Sequence, residues 1–434
     1  MAIVDESAEF RPGVPRATAI VVALTSGSHV INHMYLVLFP PILAILALEF
    51  DVSLAALGVA MGVQAFVNTG CQLPYGYLAD NYDRTISLGT CLVLGSIGVL
   101  VVAGAPSFAW VLVGQAIIGL GVAGHHPAHF SLLADATPER LRGRAFSVHG
   151  FAGNVGFAIP PVLIVSVIAV PGLTWRSAFA IIGGVGLAFA IPALVVLDRF
   201  VDSEVTSPNE TTREGDDSHA LVDRVGVELR ALRTSPAILS LGLLALVGST
   251  AFWGLNTYLV ILLTEGYGLG LERANYALSA LFVVGAVFVL LGGVLSDRYR
   301  PGPLIAGSYL LVAASILVLA SFVVPPLVAA AVAIVGGSLG GLSMPARDKL
   351  VDAFSARGDI GRNFAILTIG IMLGNTIAPP VFGVLIDGPG LRVTFVAVAA
   401  LAFAGVVLTV GIVRTFDRRE TEPAAVGADD QVVR

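Results

Sequence analysis

Twelve long runs of apolar residues, separated by short polar, proline or glycine segments, occupy most of the 434-residue chain. A helix that crosses a bilayer needs about 20 predominantly apolar residues, and each run can supply them. Charged residues make up 12% of the chain, hydrophobic residues 56%, and the mean hydropathy is +0.88, whereas a soluble domain carries about 25% charged residues. The sequence therefore predicts an all-α membrane protein with twelve transmembrane helices, near 17–46, 55–79, 85–104, 108–133, 144–170, 175–198, 236–264, 274–296, 303–323, 325–347, 362–386 and 391–415.

A polar stretch in the middle of the chain separates the apolar runs into two sets of six. The stretch 198–235 is rich in Asp, Glu, Arg, Ser and Thr, a composition that cannot be buried in lipid. We predict four regions: an N-terminal six-helix half at 1–197, a cytosolic linker at 198–235, a C-terminal six-helix half at 236–416 and a polar cytosolic tail at 417–434.

The distribution of basic residues predicts the orientation. An even number of spans puts both termini on one side, and of the 24 Lys and Arg residues only Arg176, Arg273 and Arg392 fall on the other side. Because short loops rich in Lys and Arg stay in the cytosol, we predict a multi-pass protein of the cytoplasmic (inner) membrane with both termini cytosolic. The first 16 residues contain no short apolar core, so we expect no removable signal peptide.

Three short motifs recur in the two halves at an offset of 217 to 219 residues. Parallel repeats around a site near the bilayer midplane are a known transporter design, in which one half rocks against the other. The repeat therefore favours secondary transport by alternating access. The matched segments are GYLAD at 76–80 and GVLSD at 293–297, GRAF at 143–146 and GRNF at 361–364, and IPPV at 159–162 and APPV at 378–381.

The first of these repeats resembles the cytosolic loop motif of the major facilitator superfamily, in which a Gly is followed after three residues by an Asp and then by basic residues. The resemblance covers nearly the whole chain and implies the fold of that superfamily. The matching residues are Gly76, Asp80 and Arg84 in the first half, and Gly293, Asp297 and Arg298 in the second.

The resemblance also implies a role for the two acidic residues of the motif. Asp80 is expected to meet the start of the eleventh helix near Arg362, and Asp297 the start of the fifth helix near Arg144. A carboxylate at the positive N-terminus of a helix stabilises that helix end. We therefore expect these contacts to hold the cytosolic side shut in one state of the transport cycle.

Within the superfamily, the first helix is similar to that of the fosmidomycin-resistance efflux group. That group shows His, two residues, Asn and Asp, and here His29 and Asn32 fit the pattern while His33 stands in place of the acid. In the fourth helix His126 and Pro127 fit the group's His-Pro-Glu, although Ala follows.

The fifth helix carries part of a motif typical of antiporters. Gly156 and Pro161 fit it, whereas Pro160 replaces a glycine. Together with the first helix, this resemblance implies proton-coupled efflux of a small organic solute, a drug:H⁺ antiport. Proton-coupled uptake of such a solute stays open as the alternative.

Six of the seven histidines lie in predicted helices, and ionisable groups at membrane depth are usually functional. His29 and His33 are four residues apart and share a helix face with Asn32. His125 and His129 share a face of the fourth helix, with His126 turned about 100° away. We predict that His29, His33 and one or two of the fourth-helix histidines line the central cavity and exchange a proton. The alternative is neutral packing, which we favour for His149.

The second half offers fewer ionisable groups. Trp253, Asn256 and Tyr258 on the seventh helix, and Arg347 and Asp348 on the tenth, are predicted to face the cavity. The alternatives are an aromatic belt at the membrane surface and an interfacial charge pair.

Two rival interpretations belong to other classes. The histidines at 29, 33 and 125–129 resemble the histidine boxes of membrane diiron enzymes, but those enzymes use more histidines and far fewer helices. A sensor built on a transporter scaffold is the other rival. No GxxxxGK[ST] motif is present, so the energy must come from an ion or solute gradient. We expect a monomeric transporter of a small molecule and protons, not an enzyme, with no cofactor, metal or nucleic acid.

Overall fold

The computed structural model describes residues 14–207, 235–355 and 360–416, without the side chains of Asp80, 360–362 and Phe416. Within these ranges the regular elements are all helices, and twelve helical segments are long and apolar enough to cross a membrane. The predicted all-α fold is confirmed. The segments are α1 (Arg16–Phe50), α2 (Leu54–Ala79), α3 (Arg84–Ala103), α4 (Phe108–Ala136), α5 (Glu139–Ile168), α6 (Trp175–Phe200), α7 (Pro236–Gly266), α8 (Leu271–Arg298), α9 (Pro301–Ser321), α10 (Pro326–Ala353), α11 (Asn363–Asp387) and α12 (Leu391–Thr415).

Some helix ends differ from the predicted ones. α5 begins at Glu139, five residues before the predicted start, directly after Pro138, because a glutamate in the first turn is favoured by the helix dipole even where the helix leaves the lipid. Most of the predicted linker 198–235, and all of the tail 417–434, lie outside the described residues. The described start of the linker contains the end of α6 and a short helix, Ser203–Thr206.

Proline interrupts one helix at the same place in each half. α4 consists of helices Phe108–Ala123 and His125–Ala136. α10 consists of Pro326–Ser338 and Ser343–Ala353, joined by a 3₁₀ turn. Pro127 and Pro345 lack the N–H that would continue the helical ladder to residues four positions back. The interruption in α4 sets the direction of the helical turn that carries three of the histidines.

Glycines allow the corresponding helices of each half to lie very close together. A Cβ atom on Gly156 of α5 would lie 2.5 Å from the carbonyl oxygen of Val30 on α1, and one on Gly370 of α11 would lie 2.3 Å from that of Gly242 on α7. Helices in a membrane associate largely through such close backbone contact between small residues. The pairs α1–α5 and α7–α11 thus repeat the same packing.

The two halves are joined at the end of the bundle that lies away from the termini. The Asp387 carboxylate at the end of α11 accepts hydrogen bonds from the N–H groups of Leu54 (3.2 Å) and Ala55 (2.7 Å) at the start of α2. Asn275 of α8 donates to the carbonyl of Pro41 in α1 at 3.1 Å. These contacts close the bundle on that side.

Towards the termini an expected contact between the halves is not made. Arg144 at the start of α5 and Asp297 at the end of α8, which were expected to meet, are both exposed. No ion pair joins them among the residues that the structure describes, and a Cβ atom on Gly293 would meet nothing within 4 Å. The conformation is therefore closed at the far side.

Candidate functional site

A cavity of about 370 Å³ lies between the two halves near the middle of the bundle. It is lined by side chains from α1, α2, α4, α5 and from α7 to α11. Five of the residues predicted to face a central cavity do line it: Asn32, His33, His126, Trp253 and Arg347.

Three predicted cavity residues of the second half do not line it. The Tyr258 hydroxyl, fully buried, donates to the Pro379 carbonyl of α11 at 2.5 Å, and the buried amide of Asn256 donates to Phe252 of its own helix at 2.7 Å. Asp348 is partly exposed and accepts a hydrogen bond from Arg347 at 3.0 Å. Neighbouring residues of a helix point about 100° apart, so the sequence identified the helices but not every side that faces the cavity.

Three predicted cavity residues of the first half, His29, His125 and His129, lie behind the cavity wall, where they are at most 5% exposed. They form a cluster with the other helical histidines, and His149, for which packing was favoured, lies inside it. The His125 and His129 ring centroids are 3.7 Å apart, and that of His29 lies 4.1 Å from those of both His33 and His149. We call His29, His33, His125, His126, His129 and His149 the histidine cluster.

Glycine and proline bring this cluster together. α5 passes so close to α1 that a Cβ atom on Gly153 would lie 2.6 Å from the ring of His29 and 3.0 Å from that of His33. The imidazoles occupy the space that a side chain on α5 would need. The second helical segment of α4 begins at His125, and its direction places its histidines beside those of α1.

His29 and His33 form a hydrogen-bonded pair, which we call the dyad. His29 Nδ1 lies 2.8 Å from the His149 carbonyl oxygen, His33 Nδ1 lies 2.9 Å from that of Gly153, and the two Nε2 atoms are 2.9 Å apart. A carbonyl only accepts, so each Nδ1 must carry a hydrogen, and the Nε2 contact needs one more. Two neutral imidazoles carry only two such hydrogens. The geometry fits a dyad that holds one extra proton.

Phe157 connects the dyad to the other half. Its ring stacks on that of His33 with 4.1 Å between centroids. It also contacts Phe282 of α8 at 5.4 Å and Trp253 of α7 at 6.1 Å. A movement of the His33 ring therefore changes the aromatic wall that both halves build around the cavity.

This arrangement, two repeated six-helix halves around a central cavity, agrees with the sequence comparison. The family model of the Major Facilitator Superfamily matches residues 25–358 and again 272–431. The chain belongs to the Major Facilitator Superfamily. The predicted family is confirmed, and the protein is a multi-pass membrane transporter of a small solute rather than an enzyme.

Similar proteins span most of the chain. An uncharacterized MFS-type transporter, YfnC of Bacillus subtilis (strain 168), is 26% identical over 418 residues, which cover 94% of this chain and 96% of that one. The fosmidomycin resistance protein of Escherichia coli (strain K12) is 27% identical over 304 residues, 69% of this chain and 70% of that one. A solved bacterial homologue of the human lysosomal transporter Spinster, inward-facing and unoccupied, has a TM-score of 0.80 at 19% identity and covers 95% of this chain and 100% of that one.

The superfamily loop motif makes different contacts from those expected. Asp297 pairs with Lys349 of α10 at 2.5 Å rather than with the start of α5. Arg84 is buried and binds Asp135 at the end of α4, so it fastens helices within one half. Arg298 is exposed, and Gly76, like Gly293, has open space where a Cβ would be. The side chains of Asp80 and Arg362 lie outside the described residues. The expected contact of Asp297 with α5 is therefore not made in this conformation.

Sequence reasoning missed several residues that line the cavity. Asn154 of α5 and Asn375 of α11 do so, and each follows a glycine in the same short Gly-Asn pair. This recurrence in the two halves was a signal that could have found them. Asn68, Phe157, Phe282 and Tyr309 also line the cavity, and nothing in their local sequence distinguishes them from packing residues.

Proposed function

We propose that this superfamily member is a proton-coupled efflux transporter that exchanges a small organic solute for protons by alternating access. The main support for the proposal is the dyad. Its three contacts fit one extra proton, and its His33 lines the cavity. Transport would proceed as the halves 1–197 and 236–416 rock about the cavity, with the linker 198–235 joining them.

The dyad gives a physical link between proton and solute. Without the extra proton, two nitrogens with lone pairs would face each other at 2.9 Å, so one of the three hydrogen bonds must break. The His33 ring then turns and loses its stacking on Phe157. Because Phe157 contacts Phe282 and Trp253 in the other half, proton loss changes the surface that the solute meets.

The lining of the cavity suits a small organic molecule with an aromatic or apolar body and a polar group. Phe157, Trp253 and Phe282 provide flat apolar surface, and Asn154 and Asn375 provide amides. Arg347 adds a guanidinium in the cavity wall, already paired with Asp348, and an acidic group on the solute would compete for it. A volume of about 370 Å³ fits a molecule of drug size.

The proposed direction of transport and the proposed orientation in the membrane are supported by the sequence. His29 and Asn32 in α1, and Gly156 and Pro161 in α5, support efflux through the resemblance to the fosmidomycin-resistance group. The 27% identity to a protein named for fosmidomycin resistance supports the same class of substrate. The distribution of Arg and Lys supports cytosolic termini in the inner membrane, and we propose a monomer as the working unit.

The test uses everted membrane vesicles, whose interior is acidified by respiration while a pH-sensitive dye reports proton release. Adding a compound from a panel that includes fosmidomycin is expected to release protons. The double variant His29→Gln/His33→Gln should lose this release, whereas His219→Gln, which removes the one histidine outside the predicted helices, should keep it.

Two results would contradict the proposal. Proton release that persists in the double variant would exclude the dyad as the coupling site. Compound accumulation by right-side-out vesicles, driven by a pH gradient and without proton release in everted ones, would replace efflux with uptake.

A further inference from the structure

Beyond the proton-holding dyad, we propose that His125, His129 and His149 form a binding site for a first-row divalent transition-metal ion of the Zn²⁺, Co²⁺ or Ni²⁺ class. The three residues come from α4 and α5, behind the cavity wall. This site depends on neither the direction of transport nor the identity of the solute, so it can be tested without a transport assay.

The three side chains converge on one point. One nitrogen from each ring lies within 4.8 Å of the nitrogens of the other two. The ring centroids are 3.7 Å apart for His125 and His129, and 5.1 Å for His129 and His149. A ligand set from two different helices, rather than from one loop, means that the fold itself holds the histidines in position.

The nitrogens of this group lack partners. His125, His129 and His149 are 1%, 0% and 1% exposed. Both nitrogens of His125 and Nδ1 of His129 form no hydrogen bond among the described residues, and the ring of His149 has only a contact with the backbone of Thr25. Buried polar atoms are nearly always satisfied, and an exception needs an explanation. A bound cation would take up the imidazole lone pairs.

His129 has the second hydrogen-bond partner that is typical of a metal ligand. Its Nε2 lies 3.1 Å from the Ser28 hydroxyl on α1, which fixes the ring and can take the Nε2 hydrogen. Nδ1 then carries the lone pair and has no hydrogen-bond partner among the described residues. Histidines that bind metals typically donate their second N–H to such a partner, which fixes the tautomer and the ring.

The chemistry of the donors selects the ion. The group contains imidazoles and no carboxylate or thiolate. Imidazole suits Zn²⁺, Ni²⁺ and Cu²⁺, whereas Mg²⁺ and Ca²⁺ prefer oxygen ligands. Two Zn–N bonds of about 2.0–2.1 Å at a tetrahedral angle put the nitrogens about 3.3 Å apart, and the three nitrogens here lie within 4.8 Å of one another.

The dyad makes a different kind of contact from this group of three. The Nε2 atoms of His29 and His33 are 2.9 Å apart, which is a hydrogen-bond distance and fits a shared proton. Proton and metal would therefore occupy adjacent but different parts of the histidine cluster.

His126 provides a route from the cavity to the site. It lines the cavity, and its ring centroid lies 5.0 Å from that of His125. His29, His125 and His126 also bring their nitrogens within 4.8 Å of one another. An ion in the cavity could first meet His126 and then pass to the buried group.

A metal site at these histidines could not be expected from the sequence, and the reason is topological. His125 and His129 on one helical turn offer two ligands, which is too few to hold an ion. The third, His149, lies on α5 and joins them only when α4 and α5 pack side by side.

The experiment uses the full-length protein in detergent, carrying a tag without histidines and stripped of metal with EDTA. Co²⁺ is added while visible absorption is recorded, because cobalt in a nitrogen site of low symmetry shows ligand-field bands. We expect one Co²⁺ per chain, displaced by Zn²⁺. The variant His129→Gln should weaken binding by 10-fold or more, and His219→Gln should bind as the native protein does.

Two outcomes would overturn the proposal. One is the absence of saturable Co²⁺ bands in the native protein at millimolar cobalt. The other is a triple variant, His125→Gln/His129→Gln/His149→Gln, that elutes as a single species and still binds Co²⁺ with native affinity. The first outcome is measured on the native protein, so the proposal can be refuted even if the triple variant does not fold.

Discussion

The two halves share one architecture but have different interiors. In the first half, the space between α1, α4 and α5 holds the histidine cluster. In the second, the region between α7, α10 and α11 is filled by aliphatic side chains, among them Leu241, Leu350 and Leu367. His149 and Leu367 occupy matching positions in the repeat. Both halves therefore share the same helix packing, whereas the buried histidines lie in the first half.

This contrast suggests a division of labour. The first half would bind the proton, and the second would supply Trp253, Phe282 and Arg347 to the wall of the cavity. The buried histidines lie in the first half, whereas the second half contributes one guanidinium, that of Arg347, to the cavity wall. Variants that remove the histidines from the first half, or that introduce one into the second, test this difference between the halves.

The largest effect is expected when the dyad is made apolar like the second half. His33→Leu should reduce compound-driven proton release in everted vesicles to the level of vesicles without the protein, because the Nε2 contact to His29 is lost. His126→Leu is the matched control: His126 lines the cavity but makes no hydrogen bond to the dyad among the described residues, so it should alter the half-saturating compound concentration and keep proton release. Equal losses in both variants would argue against a special role for the dyad.

The next largest effect is a loss of stability when a histidine replaces an aliphatic residue in the interior of the second half. Leu367 is 3% exposed, and Leu367→His should destabilise the protein by about 3 kcal/mol through an unsatisfied imidazole and lost apolar burial. The midpoint of thermal unfolding in detergent measures this. Leu367→Met, which keeps the volume and adds no polar group, should cost less than about 1.5 kcal/mol. Similar midpoints for the two variants would show that the second half tolerates polar groups as well as the first.

A smaller loss is expected from crowding the dyad. The Cβ atom in Gly153→Ala would meet His29 at 2.6 Å, so α1 and α5 must move apart at a cost of about 1–3 kcal/mol. Gly150→Ala, one helical turn earlier, has open space and serves as the control. Thermal unfolding and proton release should both fall for the first variant only, and a stable, active Gly153→Ala would mean that the glycine is not needed for the contact.

The smallest change in stability is expected when His149 is replaced by its counterpart. Since the ring nitrogens of His149 contact only the backbone of Thr25 among the described residues, His149→Leu removes poorly satisfied buried groups and should change stability by less than about 1 kcal/mol. Its affinity for Co²⁺ should fall at the same time. A large destabilisation without any change in cobalt binding would instead identify His149 as a packing residue that the fold requires.

The sequence predicted much of the fold. Apolar runs gave twelve helices because lipid leaves a helix no alternative partner for its backbone groups. Spacing correctly placed His29 with His33, and His125 with His129, because residues four apart share a helix face. The superfamily followed from the loop motif and the repeat.

The rest could not be read from local pattern. A shared helix face does not say whether that face meets a cavity or another helix, so Tyr258 and His125 were assigned to the wrong surroundings. Asp297 was expected at α5 but pairs with Lys349, because the contacts of a helix end depend on how whole helices pack.

The sequence by itself thus determined the class, the helices, the repeat and the residues capable of proton chemistry, since these follow from hydropathy, helical periodicity and residue type. Only the tertiary structure decided which histidines meet. Gly153 lets α1 touch α5, Pro127 restarts α4 towards them, and His149 arrives from α5. Contacts between residues about 100 positions apart depend on how whole helices pack, and no local pattern of side chains encodes that.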